Sequence, residues 1–175
     1  MEIDYEGQLT REELFRAVTL ANRPSRRRAA VRIGLAILVL IAYPALILLS
    51  ASEGGLSSYE IVRSSRHLIT VLLLEIFLLQ PFYMPYFTAR KLWSNALMRT
   101  PDKGSITDRG VVYQMGDATR EYPWESYAKL RKSDTVAALI TADRILCPFP
   151  RSYFHSAEDW DRFLKIVEFR VKEAK

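Results

Sequence analysis

The side chains able to do chemistry fall in four places along the chain. His155, Ser156 and Asp159 are the residue types of a nucleophilic relay, in which an imidazole takes the proton of a hydroxyl. Their spacing favours another role, because Ser156 stands at the head of an amphipathic stretch with Asp159 three residues on, the pattern of a helix N-cap. Trp124 beside Glu125 offers a platform on which a ligand ring could stack, but a large aromatic entering a turn is read first as a plug of the core. Lys129, Arg131 and Lys132 form a basic run. On a strand, Lys129 and Arg131 share one face and Lys132 takes the other. Such a run is either solvated surface or a contact for anionic lipid, where each cation near an acidic leaflet contributes about 1 kcal/mol. The fourth place is Tyr43, Glu75 and Gln80, polar groups set within apolar stretches. They are candidate intramembrane polar contacts, with helix packing the simpler role and an ion or proton site the sharper one.

No other pattern supports catalysis. The single cysteine, Cys147, excludes an intrachain disulfide, and His67 and His155 are too few to complete a zinc site with it. There is no G-x-S-x-G, no phosphate-binding loop and no H-E-x-x-H. Cys147, within ILCPF, alternates with Ile145 and Phe149 and reads as a small core residue. The chain is therefore expected to be no enzyme, with no catalytic, cofactor-binding or metal-ligating residues and no cofactor.

The elements that position these residues begin with two apolar runs. Of the 175 residues 49% are hydrophobic, and they concentrate at about 33–50, which carries no charge, and at about 67–87, which carries only Glu75 as a formal charge besides His67. Each is long enough to span a bilayer. Arg23, Arg26, Arg27, Arg28 and Arg32 precede the first run, and Arg90, Lys91, Arg99 and Lys103 follow the second, whereas the connecting segment 51–66 holds only Arg63 and Arg66. Positive residues stay on the cytoplasmic side, so both termini are expected there, in a multi-pass membrane protein. A second run behind the first argues against a cleaved signal peptide. The net charge of +5 does not mark a nucleic-acid binder, because residues 101–175 carry 13 Lys and Arg against 12 Asp and Glu and the excess lies beside the apolar runs. At 1.5 Å per residue Tyr43 and Glu75 reach a similar depth. An ionised carboxylate there costs about 2.5–3.5 kcal/mol, so a partner group or a second copy of the chain is expected beside it.

Three segments follow from this. Residues 1–30 hold a short strand at Ile3 and Tyr5 and an amphipathic helix opened by a Thr10–Glu13 capping box, with Leu14, Phe15, Val18 and Leu20 on its apolar stripe. Their apolar face needs cover from the C-terminal domain or the bilayer surface. Residues 31–90 form a two-span transmembrane hairpin broken at Gly54-Gly55. Residues 91–175 turn to period-two patterning, with strands near 104–107, 110–115, 118–122, 128–133, 135–141 and 144–148. Turns fall at Asp108-Arg109-Gly110, Gly116-Asp117, Ser133-Asp134 and Ala142-Asp143. A closing helix carries Trp160, Phe163, Leu164, Val167 and Val171 on one face. The expected class is an α+β membrane protein, with a transmembrane hairpin and a small antiparallel β domain closed by a C-terminal helix.

The order of these elements, with TPDKGSITDRGVVYQ, YPWESYAKL and LCPFPRSYFHSAEDWDRFL, resembles the YcxB-like bacterial membrane proteins. The resemblance rests on Thr107 and Gly110 in the first hairpin, Trp124 and Tyr127 where the family has a W-x-x-I/L step, and Pro150 with Phe154 before the last helix. Tyr127 departs from it, an aromatic where an aliphatic is usual. The resemblance implies an integral inner-membrane protein with a pleckstrin-homology-like half-barrel for 91–175 and supplies no catalytic residue. The expected function is a non-enzymatic cytoplasmic binding module on a membrane anchor, in a protein-interaction or adaptor role, with a protein partner or a second copy of the chain. The alternatives are a sensor of anionic lipid or a small ligand through Lys129, Arg131 and Lys132, and an immunity-type protective protein.

Overall fold

The structure is a computed structural model that describes residues 2–52, 58–115 and 118–173. The breakers Gly54 and Gly55 and the turn at Gly116-Asp117 lie outside the described residues. The class is α+β, with four helices and two antiparallel sheets. The chain divides into two compact units, one made of Met1–Asn22 with Pro85–Lys175 and the other of Arg23–Met84. The N-terminal strand and helix, expected as a segment of their own, thus belong to the same unit as the C-terminal strands.

In the first unit β1 (Ile3–Gly7) pairs antiparallel with β2 (Asp102–Ile106), so that Ile3 faces Ile106 across more than a hundred residues of sequence. β3 (Gly110–Met115) and β4 (Ala118–Pro123) complete a sheet in the order β1-β2-β3-β4. A second sheet holds β5 (Tyr127–Lys132), β6 (Val136–Thr141) and β7 (Leu146–Pro150) in sequence order. The β2–β3 turn is fastened locally. Thr107 Oγ1 accepts the amides of Arg109 and Gly110, and Trp124 reaches across to donate its amide to the Arg109 carbonyl and its Nε1 to the Thr107 carbonyl at 3.2 Å. Gly110 is needed here, because a Cβ would run into the Tyr122 carbonyl and Pro123. Trp124 is buried, as its reading as a core plug requires, and lies 6.0 Å, ring to ring, from Tyr127.

Helix α1 (Arg11–Asn22) starts at the expected capping box. The Thr10 amide donates to Glu13 Oε2 at 2.9 Å and the Glu13 amide to Thr10 Oγ1 at 3.2 Å. Leu14, Ala17 and Val18 are buried against β6 and β7, whereas Phe15, counted on the same stripe, stays exposed. This placement explains β6. Its VAALIT run is buried on both faces, because Ala137 and Leu139 turn to the core while Val136, Ala138 and Ile140 lie on the α1 side. Helix α4 (Ala157–Glu173) closes the core with Trp160, Phe163, Val167 and Val171, and Phe163 stacks on Phe154 at 4.8 Å. Tyr5 sits among these rings, 5.3 Å from Phe149 and 6.2 Å from Tyr153. Burying each such side chain contributes about 1.5–3 kcal/mol.

The second unit takes in most of α2 (Arg26–Ser52) and of α3 (Ser58–Trp93). Both are longer than the apolar runs. Ser58–Arg66, read as connector, has no glycine or proline and continues the helix. The segments Arg26–Ala45 and Leu68–Trp93 are long and apolar enough to cross a membrane. Their large side chains point outward, with Leu40, Ile41, Leu73 and Phe77 all exposed. At 36 residues α3 is about 54 Å long, against about 30 Å for a bilayer's hydrocarbon core. From Pro85 onward it belongs to the β-rich unit.

Candidate functional site

The basic run on β5 is split between two faces. Lys129 pairs in register with Ile140 and Arg131 with Ala138, which puts both on the side that faces α1. Arg131 is half-buried, and its Nε is enclosed with no hydrogen-bond partner. Lys132 is turned to the other face, where it meets Glu168 of α4 at 2.7 Å and helps hold that carboxyl below its usual range. The three cations therefore form no single patch. In the helical unit Tyr43 is half-buried, and Glu75 is half-buried with an enclosed Oε1 that has no hydrogen-bond partner. Gln80 is exposed on α3.

The nucleophile types are each engaged in structure. Ser156 Oγ donates to Asp159 Oδ2 at 2.7 Å and accepts the Asp159 amide at 3.0 Å, the geometry of an N-cap, and His155 is exposed beside it. Burial pushes the Cys147 thiol up, against a smaller opposing effect of Tyr113, and so holds it in the unreactive thiol form. Tyr113 and Tyr127 point at the same interior spot. Burial first, and then Cys147, drive both phenols well above the ordinary range, and neither hydroxyl has a partner of sound hydrogen-bond geometry. Nearby, Tyr5 donates to the Val112 carbonyl at 3.1 Å, and Tyr153 donates to Asp102 Oδ2 at 3.2 Å. Among the described residues no group of three or more His, Cys, Asp or Glu converges on one point.

A cleft of about 790 Å³ lies in the β-rich unit, with room for a ligand. One wall is α1, with Leu14, Val18 and Asn22. A second is the end of α3, with Thr88 and Leu92. The floor is the outer face of β5–β7. Period two aims Ile140, Leu146 and Pro148 into it, since their neighbours Leu139, Cys147 and Phe149 turn to the core. Two of its lining residues are charged, Lys129 on β5 and Arg144 in the β6–β7 turn, and both are cations. The turn that presents Arg144 is tied by the Ile145 amide, which donates to Thr141 Oγ1 at 3.0 Å. Arg144 itself has φ of 63°, the one residue other than glycine with positive φ among those described. A bulky residue in this left-handed region is uncommon and costs backbone energy.

The basic-run reading finds Lys129 here and misses Arg144. The signal was present in the turn sequence Ala142-Asp143, but nothing in it shows that Arg144 adopts positive φ or that α1 and α3 stand opposite. Comparison with models of known families, with curated proteins and with solved structures found nothing that matches this chain.

Proposed function

We propose that the chain is an integral protein of a bacterial inner membrane, with two spans and a non-enzymatic binding module of pleckstrin-homology type on the cytoplasmic side. The observation that carries this reading is that β1 pairs with β2 while both long apolar helices lie between them in sequence. A chain that leaves a sheet and comes back to it must cross a bilayer an even number of times, and two helices as a hairpin do so. Nine cations flanking the two apolar runs favour the cytoplasm as the side of return. Antiparallel sheets of four and three strands with a C-terminal helix agree with the pleckstrin-homology likeness. So does the fastening of Trp124 to the Thr107–Gly110 turn, which joins two of the elements on which the resemblance to YcxB-like proteins rests. The absence of chemistry in the proposal is supported by the capping role of Ser156 and by the neutral, enclosed thiol of Cys147.

Topology is tested with a Cys147→Ser background carrying one new cysteine, either Gly54→Cys or Ser94→Cys, and a thiol reagent that cannot cross membranes. In intact spheroplasts the reagent is expected to modify Gly54→Cys and to reach Ser94→Cys only after permeabilisation. Equal modification of both, or the reverse order, overturns the two-span reading.

A further inference from the structure

We propose that the cleft between α1, the end of α3 and the outer face of β5–β7 binds a single-chain anionic amphiphile, a long-chain carboxylate of the fatty-acid class. Its volume of about 790 Å³ lies in the range of small-molecule sites, about 300–1,000 Å³. Its walls are chiefly aliphatic, as an acyl chain requires. The charged residues of the lining are Lys129 and Arg144, both cations, with no carboxylate among the lining residues, a balance that suits an anionic head. The two cations are close in the fold, because Lys129 pairs with Ile140 and the turn that bears Arg144 starts one residue later, at Thr141.

The backbone at Arg144 is an independent pointer. Asparagine or glycine fills a left-handed position at lower cost, and strain retained in a turn concentrates at binding sites. Here the strained residue is the one that carries charge into the cleft. Supply of the ligand fits as well. Asn22 immediately precedes the helical unit in sequence and Thr88 stands four residues after its end, so two of the walls adjoin the segments proposed to span the bilayer.

The inference names the ligand of the module proposed above and rests on that reading only for the source of the ligand. The test uses the full chain in phosphatidylcholine nanodiscs with a palmitate that carries a photoreactive diazirine on its chain. Adducts mapped by mass spectrometry are expected on peptides bearing Leu92, Ile140 and Leu146, beyond any on residues 23–84. Unlabelled palmitate is expected to reduce the cleft adducts at least tenfold, and hexadecylamine, of equal chain length and opposite charge, to leave them within twofold. The pair Lys129→Gln with Arg144→Asn, both at exposed positions, is expected to lower them about tenfold with an unfolding midpoint no lower than the parent's. Adducts confined to 23–84 would overturn the inference and leave the two spans standing. Equal competition by the amine would also overturn it, on the unaltered protein and whatever the variants do.

Discussion

Phe163 and Phe77 are the same residue in opposite settings. Phe163 of α4 is fully buried among Phe149, Phe154 and Trp160, whereas Phe77 of α3 is 67% exposed, and Leu40 of α2 is 65% exposed. The β-rich unit hides most of its large apolar side chains and turns most of its charges out. The helical unit does the reverse over the apolar length of both helices. Water can solvate the first surface and not the second, so the two regions call for different solvents. Burial within the chain is the source of stability in one, and on the proposed reading lipid cover of an outward apolar face is its source in the other.

The largest expected effect separates them directly. Phe163→Ala is expected to cost about 3–5 kcal/mol and to unfold the β-rich unit cooperatively, as followed by the emission of Trp124 and Trp160. Phe77→Ala is expected to change stability by less than about 0.5 kcal/mol. A large cost at Phe77 would mean that its ring packs against protein and would erase the contrast. Next comes a charge on each outward face. Leu40→Arg is expected to oppose insertion by about 2.5–3.5 kcal/mol in a microsomal integration assay. Phe169→Arg, on the equally exposed outer face of α4, is expected to shift stability by no more than about 0.5 kcal/mol.

The smallest effect lies in the cap of α1. Burial raises the Glu13 carboxyl, but the Ser152 hydroxyl and the Thr10 hydroxyl and amide outweigh it, and the net direction is down. A carboxyl lowered on folding adds stability that is present above its unfolded value, about 4.3, and is lost as pH falls through the folded one. Glu13→Gln is therefore expected to cost about 1 kcal/mol at pH 7, and the gap from the parent should close as the pH is taken below the ordinary carboxylate range. A gap that persists in acid would show that the carboxylate is not what holds the cap.

Where structure follows from neighbours in sequence, the sequence could be read. β3, β4, β5 and β7 lie within a few residues of their expected positions because alternation and turn residues are local signals. So does the capping of α1 at Thr10 and of α4 at Ser156. What depends on distant partners was hidden. β6 lies within a residue of its expected position, but the cover of its second face by α1 could not be read, a contact between residues more than a hundred positions apart, like that of Arg16 with Thr135 at 3.3 Å. The pairing of β1 with β2 was equally invisible, and the sequence places that strand with the amphipathic helix in a segment of their own. Of the cleft, Lys129 was found through its basic neighbours, but that reading placed it with Lys132, which is engaged with Glu168. Arg144 enters through a backbone angle that no spacing rule gives.

The separation of β1 from β2 also sets the order in which the molecule can be made. A ribosome delivers β1 first and β2 only after α2 and α3 have been synthesised, so the edge of the four-stranded sheet stays open until both apolar helices have been made. On the proposed topology, a nascent chain whose helices failed to insert as a pair would leave β1 and β2 on opposite sides of the bilayer, with Ile3 and Tyr5 uncovered. Closure of that sheet is then a built-in proofreading step, which only correctly threaded chains can complete.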